Sequence, residues 1–219
     1  MTAGGGASRI IILSSPSGGG KNTIAKALLA TRDDVAYSVS ATTRAPRRGE
    51  RDGIDYHFVT RAEFENRRDK GGMLEWAEYS GHLYGTLRSE IDRVLAAGKD
   101  ALLDLEVGGT RQLTERRSDV VSIFILPPSA QALVGRLGGR KSDSPEQVVG
   151  RIRRAIDEFD QVRHYDHVVV NDDLDVCVAE VSAIMDGDST SVLTADNLEE
   201  RLADLRQGLR DYLDDDRSQ

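Results

Sequence analysis

Ten residues, "SSPSGGGKNT" (14–23), set three consecutive glycines and a lysine between the apolar run "RIIIL" and the helical pattern "IAKALLA". That order is what phosphate binding requires. Gly18, Gly19 and Gly20, entered through Ser17, let backbone N–H groups turn inward and approach phosphate oxygens closely. The following helix adds the positive end of its dipole, and Lys21 is a mobile point charge able to reach the β- and γ-phosphates. The spelling departs from G-x-x-x-x-G-K-[ST] twice: Ser15 replaces Gly, and Asn22 replaces the residue whose hydroxyl helps hold magnesium. Thr23 keeps a hydroxyl at the helix start. A glycine-rich helix start that binds nothing is the competing reading, and strand, glycines, lysine and helix in sequence favour a nucleotide site.

A second constellation follows in "SVSATTRAPRRGERDGIDYHFV" (38–59), with Arg44, Arg47, Arg48 and Arg51 inside eight residues. Taken alone, such a cluster is a solvated face. It lacks the aromatic interleaving of single-strand nucleic-acid binders. Arginine forks recognise a phosphate group bidentately, and the Tyr56 hydroxyl could complete a cage. A second phosphate site beside a phosphate loop implies a phosphoryl acceptor, which is the layout of a nucleoside monophosphate kinase.

At this point the chain resembles the guanylate kinase family, along nearly its whole length up to about residue 187. Thr42, Thr43 and Arg44, then Arg47, Glu50, Gly53, Tyr56 and Phe58, match the spacing of that family's signature without a gap. "MLEWAEYSGHLYGT" (73–86), "SIFILPPS" (122–129) and "YDHVVVNDDLD" (165–175) are close to family phrases. Family members also vary the residue after the loop lysine and keep Thr one place later. The resemblance implies that Arg44, Arg47, Tyr56 and Tyr84 hold the phosphate of GMP, while Ser40, Glu75 and Thr86 face the guanine ring. The chemistry agrees. Guanine presents N1–H and a 2-amino group as donors, which a carboxylate accepts and adenine cannot supply; hydroxyls can donate to O6. Sites built on buried hydrogen bonds reject the wrong base strongly, because mispairing strands a polar group.

Where the family has Asp-x-Asp-x-Gln-Gly, this chain reads Asp104, Glu106, Gly108, Gly109. The resemblance makes Asp104 the acid that organises magnesium, together with Thr23, and puts Glu106 in the place of a second acid near guanine or its ribose. The longer Glu106 and the missing glutamine predict looser GMP binding. The lid is "RLGGRKSDSPEQVVGRIRRA" (136–155). Its Arg136, Arg140 and Arg151 match family arginines that close over the transferring phosphoryl group, with Arg44 also counted as catalytic. Gly138 and Gly139 are the expected hinge, and Lys141 stands where Gly is usual. Phosphoryl transfer passes through a loose transition state, so positioned cations and Mg2+ supply most of the catalysis. Arg140 and Asn171 are expected on the ATP side, Asn171 at the adenine end.

These residues need a scaffold. "IIIL", "ALLDLEV" (101–107), "VVSIFIL" (120–126) and "HVVVN" (167–171) read as buried strands. Helical patterns lie over 21–31, in "SEIDRVLAAG" ending at Gly98, and in "SAQALVGRLGG" opened by Ser129. The alternation predicts an α/β fold, a P-loop parallel sheet with helices on both faces. Residues 37–90 break that rhythm as a small β-rich GMP-binding lobe. The expected organisation is a mobile 1–8, a kinase-like domain over 9–187 and an acidic helical extension over 188–219. The domain divides into a core (9–36, 91–130, 165–187), the lobe (37–90) and a helical lid (131–164). In the extension Leu198, Leu202, Leu205, Leu209 and Leu213 recur at helical spacing, and Asp196 with Glu199 reads as a cap. Two readings of that stripe stay open: packing on its own domain, or pairing with a second subunit.

Composition bounds the rest. The net charge of −8 is uneven, with nine carboxylates against four arginines from Asp188 onward. The balance argues against bulk nucleic-acid binding, and no run approaches a membrane span. Nothing at the N-terminus has the layout of a secretory signal. The one cysteine, Cys177, falls at an apolar helical position and reads as a buried structural thiol. The expectation is a cytoplasmic enzyme, monomer or homodimer, moving the γ-phosphoryl of ATP to GMP and dGMP in purine nucleotide metabolism. Two alternatives remain at this level: a catalytically silent binding module on the same fold, and a kinase for another monophosphate.

Overall fold

The structure is a computed structural model and describes residues 8–79, 81–139, 144–188 and 195–216. The first strand, β1 (Ile10–Ser14), is buried at every position. The chain turns through the glycine loop into α1 (Lys21–Thr31), which starts at the lysine itself. Then come β2 (Val35–Tyr37), β3 (Ala41–Thr42), β4 (His57–Phe58), α2 (Arg61–Asp69), β5 (Met73–Tyr79), β6 (His82–Leu87) and α3 (Arg88–Ala96). The second half runs β7 (Asp100–Asp104), α4 (Val107–Thr114), β8 (Val120–Leu126), α5 (Ala130–Gly138), α6 (Pro145–Phe159), β9 (His167–Val170), α7 (Leu174–Met185) and α8 (Ala195–Asp216). A 3-10 turn, Val162–His164, precedes β9.

Five strands form one sheet in the order β2-β7-β1-β8-β9, and four form a second in the order β4-β3-β6-β5. The pairs β2–β7 and β8–β9 are parallel, as near-continuous Val, Ile and Leu runs require of strands covered on both faces. The chain divides into two compact units, 1–12 with 29–121 and 13–28 with 122–219.

In the first unit, Ile10, Ile12, Leu74, Ile91, Val94, Ala101, Leu103 and Leu113 make one core cluster, and Ala41, Phe64, Met73, Leu83 and Leu87 make another. The second cluster seats α2 through Phe64. The expectation of a β-rich segment over 37–90 therefore needs a helix added. Only Phe64 of α2 is buried, so apolar periodicity is silent there. Its one sequence signal is the capping box of Thr60 and Glu63, formed in both directions.

Two further boundaries move. The "ALLDLEV" strand stops at Asp104, and Val107 already starts α4. Asp196 lies in the first turn of α8 rather than before it, where its charge suits the helix dipole. In the second unit, Ser129 caps α5 as expected, accepting from the Ala132 N–H. Ser144 and Gln147 form a capping box ahead of Pro145 at the start of α6. Cys177 is fully buried, and burial followed by the Glu180 charge pushes its thiol up to about 12. It is an inert core group.

Candidate functional site

In the second unit the glycines of 18–20 each have a separate reason. Gly18 and Gly20 have φ of +86° and +98°, which L side chains rarely adopt. A Cβ on Gly19 would strike the Ser15 side chain, and one on Gly20 would run into Asn171 Nδ2. Ser15 is thus built into the turn. Its hydroxyl donates to the Pro16 carbonyl at 3.0 Å, and the Gly19 N–H reaches the same oxygen at 2.8 Å. Asn171, nearly buried, donates from Nδ2 to the Gly19 carbonyl at 2.9 Å. Its own carbonyl accepts from Arg136 Nη2 at 3.1 Å. The residue expected at the adenine end therefore braces the glycine loop and anchors Arg136. Lys21 opens α1 with Asn22 and Thr23 exposed beside it, and the Thr23 N–H closes the turn onto Gly20. Arg151 lies on α6, and Arg140 and Lys141 lie outside the described residues. Gly138 and Gly139 end α5 with an ordinary right-handed cap, Gly139 at φ −70°.

In the first unit two side-chain clusters form. One is built on Arg44. Its Nη1 and Nη2 bind Glu50 Oε2 and Oε1, each at 2.9 Å, and the guanidinium lies 5.4 Å from the Tyr56 ring centre. Glu50 also accepts the Arg47 N–H at 2.7 Å. Glu50 raises the arginine's proton affinity, with Tyr84 adding to it, while Arg44 and the Arg47 amide hold the Glu50 carboxyl below its usual range. Tyr56 packs edge-on against Tyr84, ring centres 6.0 Å apart. Burial first, and then the Asp104 charge, push the Tyr37 and Tyr56 hydroxyls up, so both stay protonated donors. Arg44, Tyr56 and Tyr84 are brought together; Arg47 is exposed on the same loop.

The other cluster centres on Glu75, only 4% exposed although it is a carboxylate. Glu75 and Thr86 are register partners across β5–β6, and Thr86 Oγ1 donates to Glu75 Oε1 at 2.7 Å. Helix α4 and the turn after it grip the strand on either side: Arg116 Nη1, beyond the helix end, donates to the Leu74 carbonyl at 3.1 Å and Gln112 Nε2 to the Trp76 carbonyl at 3.0 Å. Gly109 supplies the space, since a Cβ there would sit 2.7 Å from Glu75 Oε2. Burial raises the Glu75 pKa, and Thr86 opposes that. The Thr86 proton, expected to serve O6 of a base, is engaged with Glu75 here.

Ser40 gives its carbonyl to the His57 N–H at 2.9 Å, and Glu90 Oε2 accepts the neighbouring Val39 N–H at 3.4 Å. Asp104 stands at the end of β7, half-buried, and Glu106 is an exposed helix cap with no side-chain cap bond. Sequence reasoning assigned no role to Glu50, Gly109, Gln112, Arg116 or Tyr37. Glu50 had a signal, being six residues from Arg44 with opposite charge. The others are neighbours only through the fold.

Among the described residues no group of three or more His, Cys, Asp or Glu side chains could hold a metal ion, and no helix is long and apolar enough to cross a membrane.

The family model for guanylate kinase matches residues 7–188. A guanylate kinase from Chelativorans sp. is 48% identical over 177 residues, covering 80% of this chain and 81% of that one. One from Clostridium perfringens is 41% identical over 198 residues, covering 90% of each. The crystal structure of guanylate kinase from Anaplasma phagocytophilum superposes with a TM-score of 0.68 at 34% identity, over 85% of this chain and 88% of that one.

Proposed function

Because the chain belongs to the guanylate kinase family, and so transfers the γ-phosphoryl group of ATP to GMP, we propose the following division of labour among its residues. The Glu75 carboxylate reads guanine by accepting from N1–H and the 2-amino group. Thr86 and Gly109 hold that carboxylate in place, and Ser40 donates to O6. Adenine would offer Glu75 no donor and leave the buried carboxylate with only its Thr86 bond, a cost of about 1–3 kcal/mol. Arg44, Arg47, Tyr56 and Tyr84 bind the acceptor phosphate, with Glu50 presenting the Arg44 fork. The loop from Ser17 to Gly20 cradles the ATP phosphates through backbone N–H groups, and Lys21 follows the transferring group. Arg136, Arg140 and Arg151 stabilise charge on the equatorial oxygens as bonding loosens.

Magnesium is the natural companion of ATP here. Mg2+ takes one or two carboxylates and completes its shell with phosphate oxygens and water. Asp104 is the carboxylate we assign to it, and Thr23 the hydroxyl. When bound it neutralises phosphate charge. We also read 37–90 as the GMP-binding lobe, 131–164 as the lid and the cytoplasm as the site of action, where a lone buried thiol such as Cys177 needs no partner.

The observation that carries the assignment of base specificity is the buried Glu75–Thr86 pair facing Gly109. The test is ADP release from Mg-ATP with GMP, dGMP, AMP, CMP or UMP as acceptor, in the native protein and in Glu75→Gln. Guanine acceptors alone should be turned over, and the substitution should erode that preference. Equal turnover of AMP by the native protein would refute the reading.

A further inference from the structure

Helix α8 lies beyond the part of the chain matched by the family model, which ends at residue 188. Its leucine stripe does not face solvent. Leu202, Leu205 and Leu209 are fully or almost fully buried, and the helix packs against both α5 and α6. The fit to α5 is close: Gly208 sits so near Ala130, the first residue of α5, that a Cβ on Gly208 would lie 2.7 Å from the Ala130 Cβ. Arg201 Nη1 donates to the Pro128 carbonyl just ahead of α5 at 3.2 Å. At the far end of α6, Arg206 Nη2 pairs with Asp160 at 2.8 Å, and Arg163 in the following turn pairs with Glu199 at 3.0 Å.

The two helices it joins are the ones that carry Arg136 and Arg151. Helix α5 also backs the phosphate loop directly, because Leu133 and Leu137 fill the space beside Gly18, 3.2–3.3 Å from where a Cβ would be. The order of packing is therefore α8 on α5, and α5 on the loop, with Arg136 bonded to the Asn171 carbonyl and the Asn171 amide bonded to Gly19.

We infer that α8 is a positioning element for the ATP side of the reaction. It splints α5 to α6 and thereby sets where Arg136 and Arg151 stand relative to the phosphate loop. The buried leucines and the Gly208–Ala130 contact do this, while the exposed ion pairs add little. This resolves the two readings of the leucine stripe in favour of its own chain, and it rests on the catalytic assignment of the lid arginines made above.

Gly208 provides the test. Gly208→Ala strengthens α8 as a helix, since Ala is a better helix former than Gly, yet drives a methyl group into its seat on α5. The double variant Gly208→Ala/Ala130→Gly moves that methyl from one helix to the other and removes the collision. The measurements, on the full chain, are kcat and KM for each nucleotide and amide hydrogen exchange in α5, α6 and β5–β6. Gly208→Ala should lower kcat by about 3–10-fold and speed exchange in α5 and α6, while KM for GMP and exchange in β5–β6 hold. The double variant should recover both. Unchanged exchange in Gly208→Ala overturns the splint. So does a loss of kcat that dilution of the native protein reproduces, because that makes α8 a subunit contact. Faster exchange with kcat intact overturns the proposal through its premise, the role of the two arginines. A native protein that uses every acceptor equally would instead strike at the Glu75 reading and leave this one standing.

Discussion

The two regions proposed to handle the nucleotides are built from different materials. Around Glu75 and Arg44, the recognition we propose is by side chains held against side chains: Thr86 on Glu75, Glu50 on Arg44, Tyr56 on Tyr84. Around residues 17–20 it is by backbone, with side chains serving to hold the backbone still: Ser15 behind Gly19, Asn171 on the Gly19 carbonyl, Leu133 and Leu137 behind Gly18. The difference follows from the ligands. A base is distinguished by a few donors and acceptors, so a buried carboxylate that is costly to mispair gives specificity. A polyphosphate offers many equivalent oxygens and is met by N–H groups and a helix end.

The largest test of that contrast is Lys21→Ala, the one side chain of the loop assigned to chemistry. It should cost about 10²–10³-fold in kcat, as removal of a transition-state cation does, while GMP affinity by calorimetry stays within about twofold. Next comes Glu75→Gln, which should raise KM for GMP by about 10–100-fold and leave KM for ATP alone.

The same carboxylate predicts a pH dependence. Burial raises its folded pKa above the unfolded value, so its proton is held more tightly in the folded state. Its contribution to stability is present below the unfolded value of about 4.3 and is lost as pH rises through the raised folded value. In the proposed reading, guanine binding runs the other way and needs the ionised form. KM for GMP should therefore rise as the solution is acidified through the raised Glu75 pKa, and Glu75→Gln should flatten that limb of the profile.

Gly20→Ala probes the backbone side. It forces a side chain into φ +98° and displaces Asn171, so thermal unfolding should report a loss of about 1–3 kcal/mol. KM for ATP should rise and KM for GMP should not. Glu50→Gln, which replaces a bidentate ionic partner by a neutral amide, should raise KM for GMP by about 3–10-fold without changing the GMP/AMP preference. The smallest effect is expected from Glu106→Asp. The Glu106 side chain is exposed and makes no cap bond, so shortening it should lower KM for GMP by only about twofold, within the weak end of single-contact effects.

Most of the fold was legible because its strands are short apolar runs punctuated by glycine and proline. "VVSIFIL" became β8 at its expected bounds, and Ser129 capped α5 where its position said it would. Helix α2 was illegible for the opposite reason: one buried residue gives no period to read. In the site, the family resemblance named Arg44, Tyr56 and Tyr84, and the three side chains do meet. Asn171 was expected at the adenine end, and the structure shows it bracing the glycine loop, since nothing in "VVVNDD" says that its amide meets Gly19, 152 residues away.

The sequence by itself determined that this chain is an α/β kinase, and it singled out the loop proposed to take the phosphates and the arginines, tyrosines and acids proposed to face a second nucleotide. Those are local facts: three glycines before a lysine, four arginines within eight residues, a carboxylate between apolar strand residues. Only the tertiary structure decided what holds each group in place. Glu75 is held in its buried place because Gly109 makes room for it and Gln112 and Arg116 fix its strand. The leucine stripe of α8 turns inward onto α5 and α6. Such contacts join residues far apart in the chain, where close packing decides which side chain has space and which has a partner.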